Sequence, residues 1–112
     1  MESIRQQKVN KLIALELAEL LRQESKGYFL GAFISVTGVR ISPDLGFAKV
    51  YVSIMQEPLR KPVMELLTQH QSYIRKKLAL KVGKQLRVVP ELHFYIDDSL
   101  DYALHIDTLL KK

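Results

Sequence analysis

The 112-residue chain contains no cysteine and no tryptophan. The missing cysteine removes disulfides, thiolate metal ligands and a cysteine nucleophile together. No apolar run approaches the roughly 18 residues that a membrane-spanning helix needs. The N-terminal MESIRQQKVNKL lacks the apolar centre of a signal peptide. A cytoplasmic protein without membrane contact is therefore the simplest expectation. Glycine is scarce, and its five positions (27, 31, 38, 46 and 83) include no pair three residues apart. There is no Gly-rich phosphate loop, no GxSxG and no HExxH, so no enzyme, no cofactor and no small-molecule substrate is expected. His70, His93 and His105 are scattered, with no i, i+4 histidine pair, which argues against a metal site. Asp97, Asp98 and Asp101 lack the EF-hand spacing and its glycine. Helix capping accounts for them better, and His105 reads as a helix-surface partner of Asp101.

One further absence is regional. From Gln69 to Pro90 there is no acidic residue, while Arg75, Lys76, Lys77, Lys81, Lys84 and Arg87 all fall inside that stretch. The net charge of +5 is concentrated there: residues 58–90 hold eight basic residues against one acidic, and residues 91–112 are net −3. A face built only for solubility mixes signs, so a single-sign ridge points to a polyanion, nucleic acid first. At 100° per residue, Ile74, Leu78, Val82 and Leu86 form one apolar stripe of a helix. Lys76, Lys77, Lys81, Lys84 and Arg87 take the opposite face, and Arg75 sits at the boundary. Such side chains would neutralise phosphates, which supplies position and salt dependence without base specificity.

The remaining pattern gives an α-β-β-α-α-β order. Val9, Leu12, Ile13, Leu17, Leu20 and Leu21 mark an amphipathic helix that Lys26-Gly27 is expected to end. Residues 32–42 and 47–55 read as two strands of an antiparallel hairpin around Ser42-Pro43-Asp44-Leu45-Gly46. In the second strand Ala48, Val50, Val52 and Ile54 face inward, with Lys49, Tyr51 and Ser53 outward. Lys49 and Tyr51 together suit a base-stacking platform or, more simply, cross-strand packing. Pro58 and Pro62 can open the next helix, which weakens near His70-Gln71. Ser72 is expected to cap the basic helix, and Pro90 to limit it. Residues 91–96 form a third strand with Leu92, Phe94 and Ile96 inward, and a short helix is expected over about 99–110 with Leu100, Ala103, Leu104 and Leu110. Three strands covered on one side by helices make one α+β domain over residues 1–112.

That order is the type II KH arrangement. The run Thr37-Gly38-Val39-Arg40-Ile41-Ser42-Pro43-Asp44-Leu45, followed by Ala48-Lys49-Val50-Tyr51-Val52-Ser53, resembles the central signature of the ribosome-binding factor A family. Tyr73-Ile74-Arg75, then Leu86–Phe94 and Asp97-Asp98-Ser99, resemble its second signature in the same order. The resemblance implies a KH-like fold without the GxxG loop and a non-enzymatic factor of small-subunit maturation, often linked to growth in the cold. Its implied partner is the small ribosomal subunit and its rRNA, bound through the ridge with Arg5, Lys8, Lys11, Arg40 and Lys49 as further contacts. It also implies a helix kink, at His70-Gln71-Ser72 here, where the family commonly has Ala-x-Gly. A monomer is expected. Two rival readings are a protein-interaction module whose basic face meets an acidic partner, and a KH-like binder of other single strands.

Overall fold

The computed structural model describes residues 2–97. Helix α1 (Ile4–Tyr28) is followed by strands β1 (Ile34–Ile41) and β2 (Phe47–Ile54), a 3-10 turn (Glu57–Leu59), helices α2 (Arg60–Gln69) and α3 (Gln71–Val82), and strand β3 (Glu91–Ile96). The fold is α+β and KH-like, in the type II order. The expected helix over about 99–110, with its Asp101–His105 pair, lies outside the described residues.

Helix α1 opens with a reciprocal cap. The Ser3 hydroxyl accepts from the Gln6 N–H at 3.1 Å, and the Gln6 side-chain oxygen accepts from the Ser3 N–H at 2.9 Å. Its stripe Val9, Ile13, Leu17, Leu20 and Leu21 is buried. The helix does not end at Lys26-Gly27, as its sequence suggested, but continues to Tyr28. A glycine costs a helix only about 1 kcal/mol relative to alanine, and the fully buried Phe29 just beyond holds the last turn on the core. The true stop is Leu30-Gly31, both at positive φ, where the Ser25 carbonyl accepts from the Phe29 and Gly31 N–H groups.

The sheet order is β1-β2-β3, with β1 antiparallel and β3 parallel to β2. A parallel pair needs a long crossover, which α2 and α3 provide. Ala48, Val50, Val52 and Ile54 of β2 are buried against the helices, meeting the expected alternation. In β1 the inward phase changes. Ile34 and Val36 pair with Ile54 and Val52, whereas Val39 and Ile41 pair with Val50 and Ala48, and the register shifts between Val36 and Gly38. The extra residue at this bulge is what turns an even-numbered inward set into an odd-numbered one. In β3, Leu92 is buried and Phe94 half-buried, but Ile96, expected inward, is 40% exposed. It ends an edge strand and has a strand neighbour, Val52, on one side only.

Two features of the basic helix depart from expectation. Ser72 does not cap it: α3 begins at Gln71, and its N-cap residue, His70, has no side-chain cap bond. His70 interrupts the helical run for one residue (φ −98°, ψ 16°), and its N–H still donates to the Leu66 carbonyl while its carbonyl accepts from Ile74. The chain passes from α2 to α3 without the set of open N–H groups that a cap would serve. At the other end the helix stops at Val82, with Gly83 as C-cap, not at Pro90. Lys84, Leu86 and Arg87 therefore lie in the following loop, although Leu86 still packs on the core.

Candidate nucleic-acid interface

The core fixes the orientation of α3. Ile74, Leu78 and Val82 are buried, so Lys76, Lys77 and Lys81 are carried away from the core. Lys76, Lys84 and Arg87 are exposed, and Lys77 and Lys81 half-buried. The Lys77 ammonium lies 5.6 Å from the Tyr73 ring centroid, a cation–π contact on the helix itself. Arg75 behaves differently. Its Nε and Nη2 donate to the Val89 carbonyl at 3.1 and 2.8 Å, so its fork holds the loop after α3 against the helix.

Ending the helix at Gly83 brings the loop cations to new neighbours. A concavity of about 550 Å³ joins Arg5 and Lys8 of α1 to Arg87, over a floor that includes Val9, Leu45 and Leu86. A second, of about 460 Å³, joins Arg75 and Lys76 of α3 to the same Leu86 and Arg87. The two grooves adjoin through Leu86 and Arg87, which makes one basic path from the start of α1 to the start of α3. Among the described residues, Asp44 is the single acidic side chain lining it. Its carboxyl is held below the ordinary aspartate value, first by the Ser42 hydroxyl donating at 2.6 Å and then by the Gly46 N–H at 3.0 Å. It remains ionised at neutral pH and serves the hairpin turn.

The other proposed contacts do not line this path. Lys11 is exposed on α1 outside both grooves, and Lys77, Lys81 and Lys84 also line neither. Arg40 and Lys49, paired across β1 and β2, line a separate depression of about 350 Å³ with Glu2 and Gln6.

The kink residues are positioned by α1 and β3. The His70 ring meets Tyr28 edge-on at 5.2 Å and Phe29 at 6.4 Å. The Gln71 side-chain oxygen accepts from the Leu92 N–H at 2.9 Å, which fixes the start of β3, and Ser72 lines the second groove. The φ of His70 is negative, so this geometry needs no glycine. Sequence reasoning missed the union of Arg5 and Lys8 with Arg87 because it carried the helix through Gly83. Glycine followed by a lysine just after the last periodic apolar residue was the available stop signal.

The ribosome-binding factor A family model matches residues 5–110. The ribosome-binding factor A of Cytophaga hutchinsonii is 46% identical over 112 residues, covering 100% of this chain and 84% of that protein. The crystal structure of ribosome-binding factor A from Thermus thermophilus superposes with a TM-score of 0.69 at 22% identity, over 81% of this chain and 94% of that one. A homology model of the Thermus thermophilus factor, fitted into a cryo-EM map of its 30S complex, gives a TM-score of 0.60 at 24% identity over 78% and 93% of the two chains. The signatures at Thr37–Ser53 and Tyr73–Ser99 thus belong to a match that spans nearly the whole sequence, and the chain is a member of the ribosome-binding factor A family.

Proposed function

We propose that this protein is a non-catalytic maturation factor of the small ribosomal subunit, acting in the cytoplasm on rRNA of the precursor particle during late assembly and rRNA processing. The observation that carries this reading is the basic path in which Arg87 is shared by two grooves, with Arg5 and Lys8 on one side and Lys76 on the other. Cations from two distant parts of the sequence converge on one concave strip, an arrangement suited to neutralising successive phosphates. Family membership adds to this, as does the Thermus thermophilus relative described in complex with a 30S subunit. Lys77, Lys81 and Lys84 continue the positive field beyond the grooves and assist association. With no GxxG loop to clamp nucleotides, affinity comes from the shape of a folded particle and several separated phosphate contacts.

The test is co-sedimentation with small subunits on a sucrose gradient. Wild-type protein is expected with free small subunits and absent from translating ribosomes. The R5E/K8E/K76E/R87E variant, folded by circular dichroism, is expected at the top of the gradient. Co-sedimentation of that variant at the wild-type level rejects the basic path as the binding site.

A further inference from the structure

Among the described residues, the helices lie on one face of the sheet and the other face has its own composition. Residues of β2 that point away from the core are Phe47, Lys49, Tyr51 and Ser53, of which Phe47 and Lys49 are exposed and Tyr51 half-buried. The register places Arg40, Lys49 and His93 side by side across the three strands. One step further along, Tyr51 lies beside Tyr95, with Gly38 as its neighbour on β1. The Tyr51 and Tyr95 rings are 5.7 Å apart at 31°, and Phe47 meets His93 edge-on at 5.6 Å. Phe47 and Tyr95 remain 42% and 43% exposed. Gly38 adds no side chain beside Tyr51; a Cβ there would stand 3.9 Å from the Tyr51 Cδ2.

We propose that this other face is a second RNA contact, taking two or three unpaired nucleotides: bases stack on the Tyr51–Tyr95 and Phe47–His93 pairs, and Arg40 and Lys49 neutralise the phosphates between them. Same-face residues recur about every 7 Å along a strand and neighbouring strands lie about 5 Å apart. The aromatic pairs and the cation row therefore alternate at the scale of an extended single strand. Sheets that present aromatic rings to solvent stack bases in other RNA-binding folds, and stacking tolerates any base because each has a π-face. Cross-strand packing accounts for paired rings but not for two adjacent cations between them. Charge complementarity selects a polyanion over an apolar protein segment. Beside the cation row stands Glu91, whose Oε1 lies 3.7 Å from the His93 Nε2.

The choice of RNA as occupant rests on the function proposed above; the surface itself does not involve the basic path. The experiment uses the full chain and a short single-stranded oligoriboadenylate at low salt, followed by amide NMR shifts and by anisotropy of the labelled oligonucleotide. Shifts are expected at residues of β2 and β3 and at Gly38 and Arg40. The Y51L/Y95L variant should bind roughly tenfold more weakly or worse, on the scale of base–aromatic stacking. An R40Q/K49Q variant, which leaves the rings in place, should weaken binding and flatten its salt dependence. The R5E/K8E/K76E/R87E variant should retain the sheet shifts. Shifts confined to α3 and residues 83–90 overturn the sheet contact while leaving the basic path intact. No binding of the oligonucleotide, or unchanged affinity in both folded sheet variants, overturns it as well. Retained sheet shifts alongside wild-type co-sedimentation of the basic-path variant would reject that path and support the sheet.

Discussion

The rings of Tyr28 and Tyr73 stack with centroids 4.7 Å apart and 27° between their planes, joining the last residue of α1 to the first turn of α3. His70 closes the same cluster against Tyr28 and Phe29. A fold that lacks a GxxG loop at this place instead pins the junction of α2 and α3 with aromatic contacts. The junction is thereby set by packing, and α3 presents its cations from a fixed base.

A pH prediction follows from this cluster. The Tyr73 hydroxyl donates to the Glu24 carboxylate at 3.3 Å, and its pKa is pushed up to about 12, first by hydrogen bonding with the Tyr28 hydroxyl, then by burial and by the Glu24 charge. A value raised in the folded state favours the neutral phenol. The stabilisation is fully present below the ordinary tyrosine value of 10.0 and disappears as pH rises through about 12. Thermal melts of wild type and Y73F should therefore differ most below pH 10 and converge toward pH 12. A constant difference across that range would show that the hydroxyl does not titrate with folding.

The bulge in β1 gives a second prediction. Deleting Thr37 removes the extra residue and leaves a regular alternation in which Ile34, Val36, Val39 and Ile41 all keep their inward partners on β2. Pairing Thr37 in register, without the bulge, would instead expose two of these side chains at about 1.5–3 kcal/mol each, or about 3–6 of the 5–15 kcal/mol that holds a small domain. T37A keeps the residue count and loses only the hydroxyl bond to the Tyr51 carbonyl at 3.2 Å. Urea denaturation should place both T37A and the deletion near wild type, because each keeps the four inward side chains. A deletion variant less stable by several kcal/mol would mean that the bulge itself is needed to hold the inward set.

Periodicity made most of the fold legible. The stripes Val9–Leu21 and Ile74–Val82 and the alternation Ala48–Ile54 depend only on which side chains avoid water, and each is buried as read. Three things were not legible, for separate reasons. The β1 phase change is hard to read because Ser35 and Thr37 mark one phase and Arg40 the other, and with Thr37-Gly38 between them the pattern does not say where the strand absorbs the extra residue. The extension of α1 past Gly27 depends on a tertiary contact, the burial of Phe29, that local propensity does not contain. At α3 the reverse happened: Leu86 continued the four-residue spacing and outweighed the Gly83 stop, yet it reaches the core from a loop. That one boundary moved Arg87 from a helix face to the junction of two grooves.

The hairpin turn supplies the third prediction. Asp44 accepts from Ser42 and Gly46, and the Ser42 hydroxyl accepts in turn from the Phe47 N–H at 3.1 Å, beside a Leu45 held at φ 63°. A carboxyl lowered in the folded state contributes stability that is present above its ordinary value of 3.8 and lost as pH falls through the lower, folded value. D44N keeps an acceptor without the charge. It should melt below wild type at pH 7, and the gap should close as pH drops below about 4. A gap that persists in acid would assign the loss to geometry and not to ionisation.

The last prediction separates two arginines that the sequence treated alike. Both Arg75 and Arg87 line the second groove, but Arg75 has its fork on the Val89 carbonyl, whereas Arg87 is exposed at the meeting of the two grooves. If phosphate neutralisation governs binding, the log–log salt slope changes by about 0.7–0.9 for each cation removed from a phosphate. R87Q should therefore flatten the slope of small-subunit binding by roughly that amount and weaken binding at low salt. R75Q should leave the slope near that of wild type and instead lower the melting temperature, because it frees the loop that carries Arg87. Salt titrations of the three proteins against immature small subunits, with circular dichroism melts alongside, read both effects. A slope lowered equally by both substitutions would mean that Arg75 leaves Val89 for a phosphate on binding. A slope changed by neither would remove Arg87 from the interface.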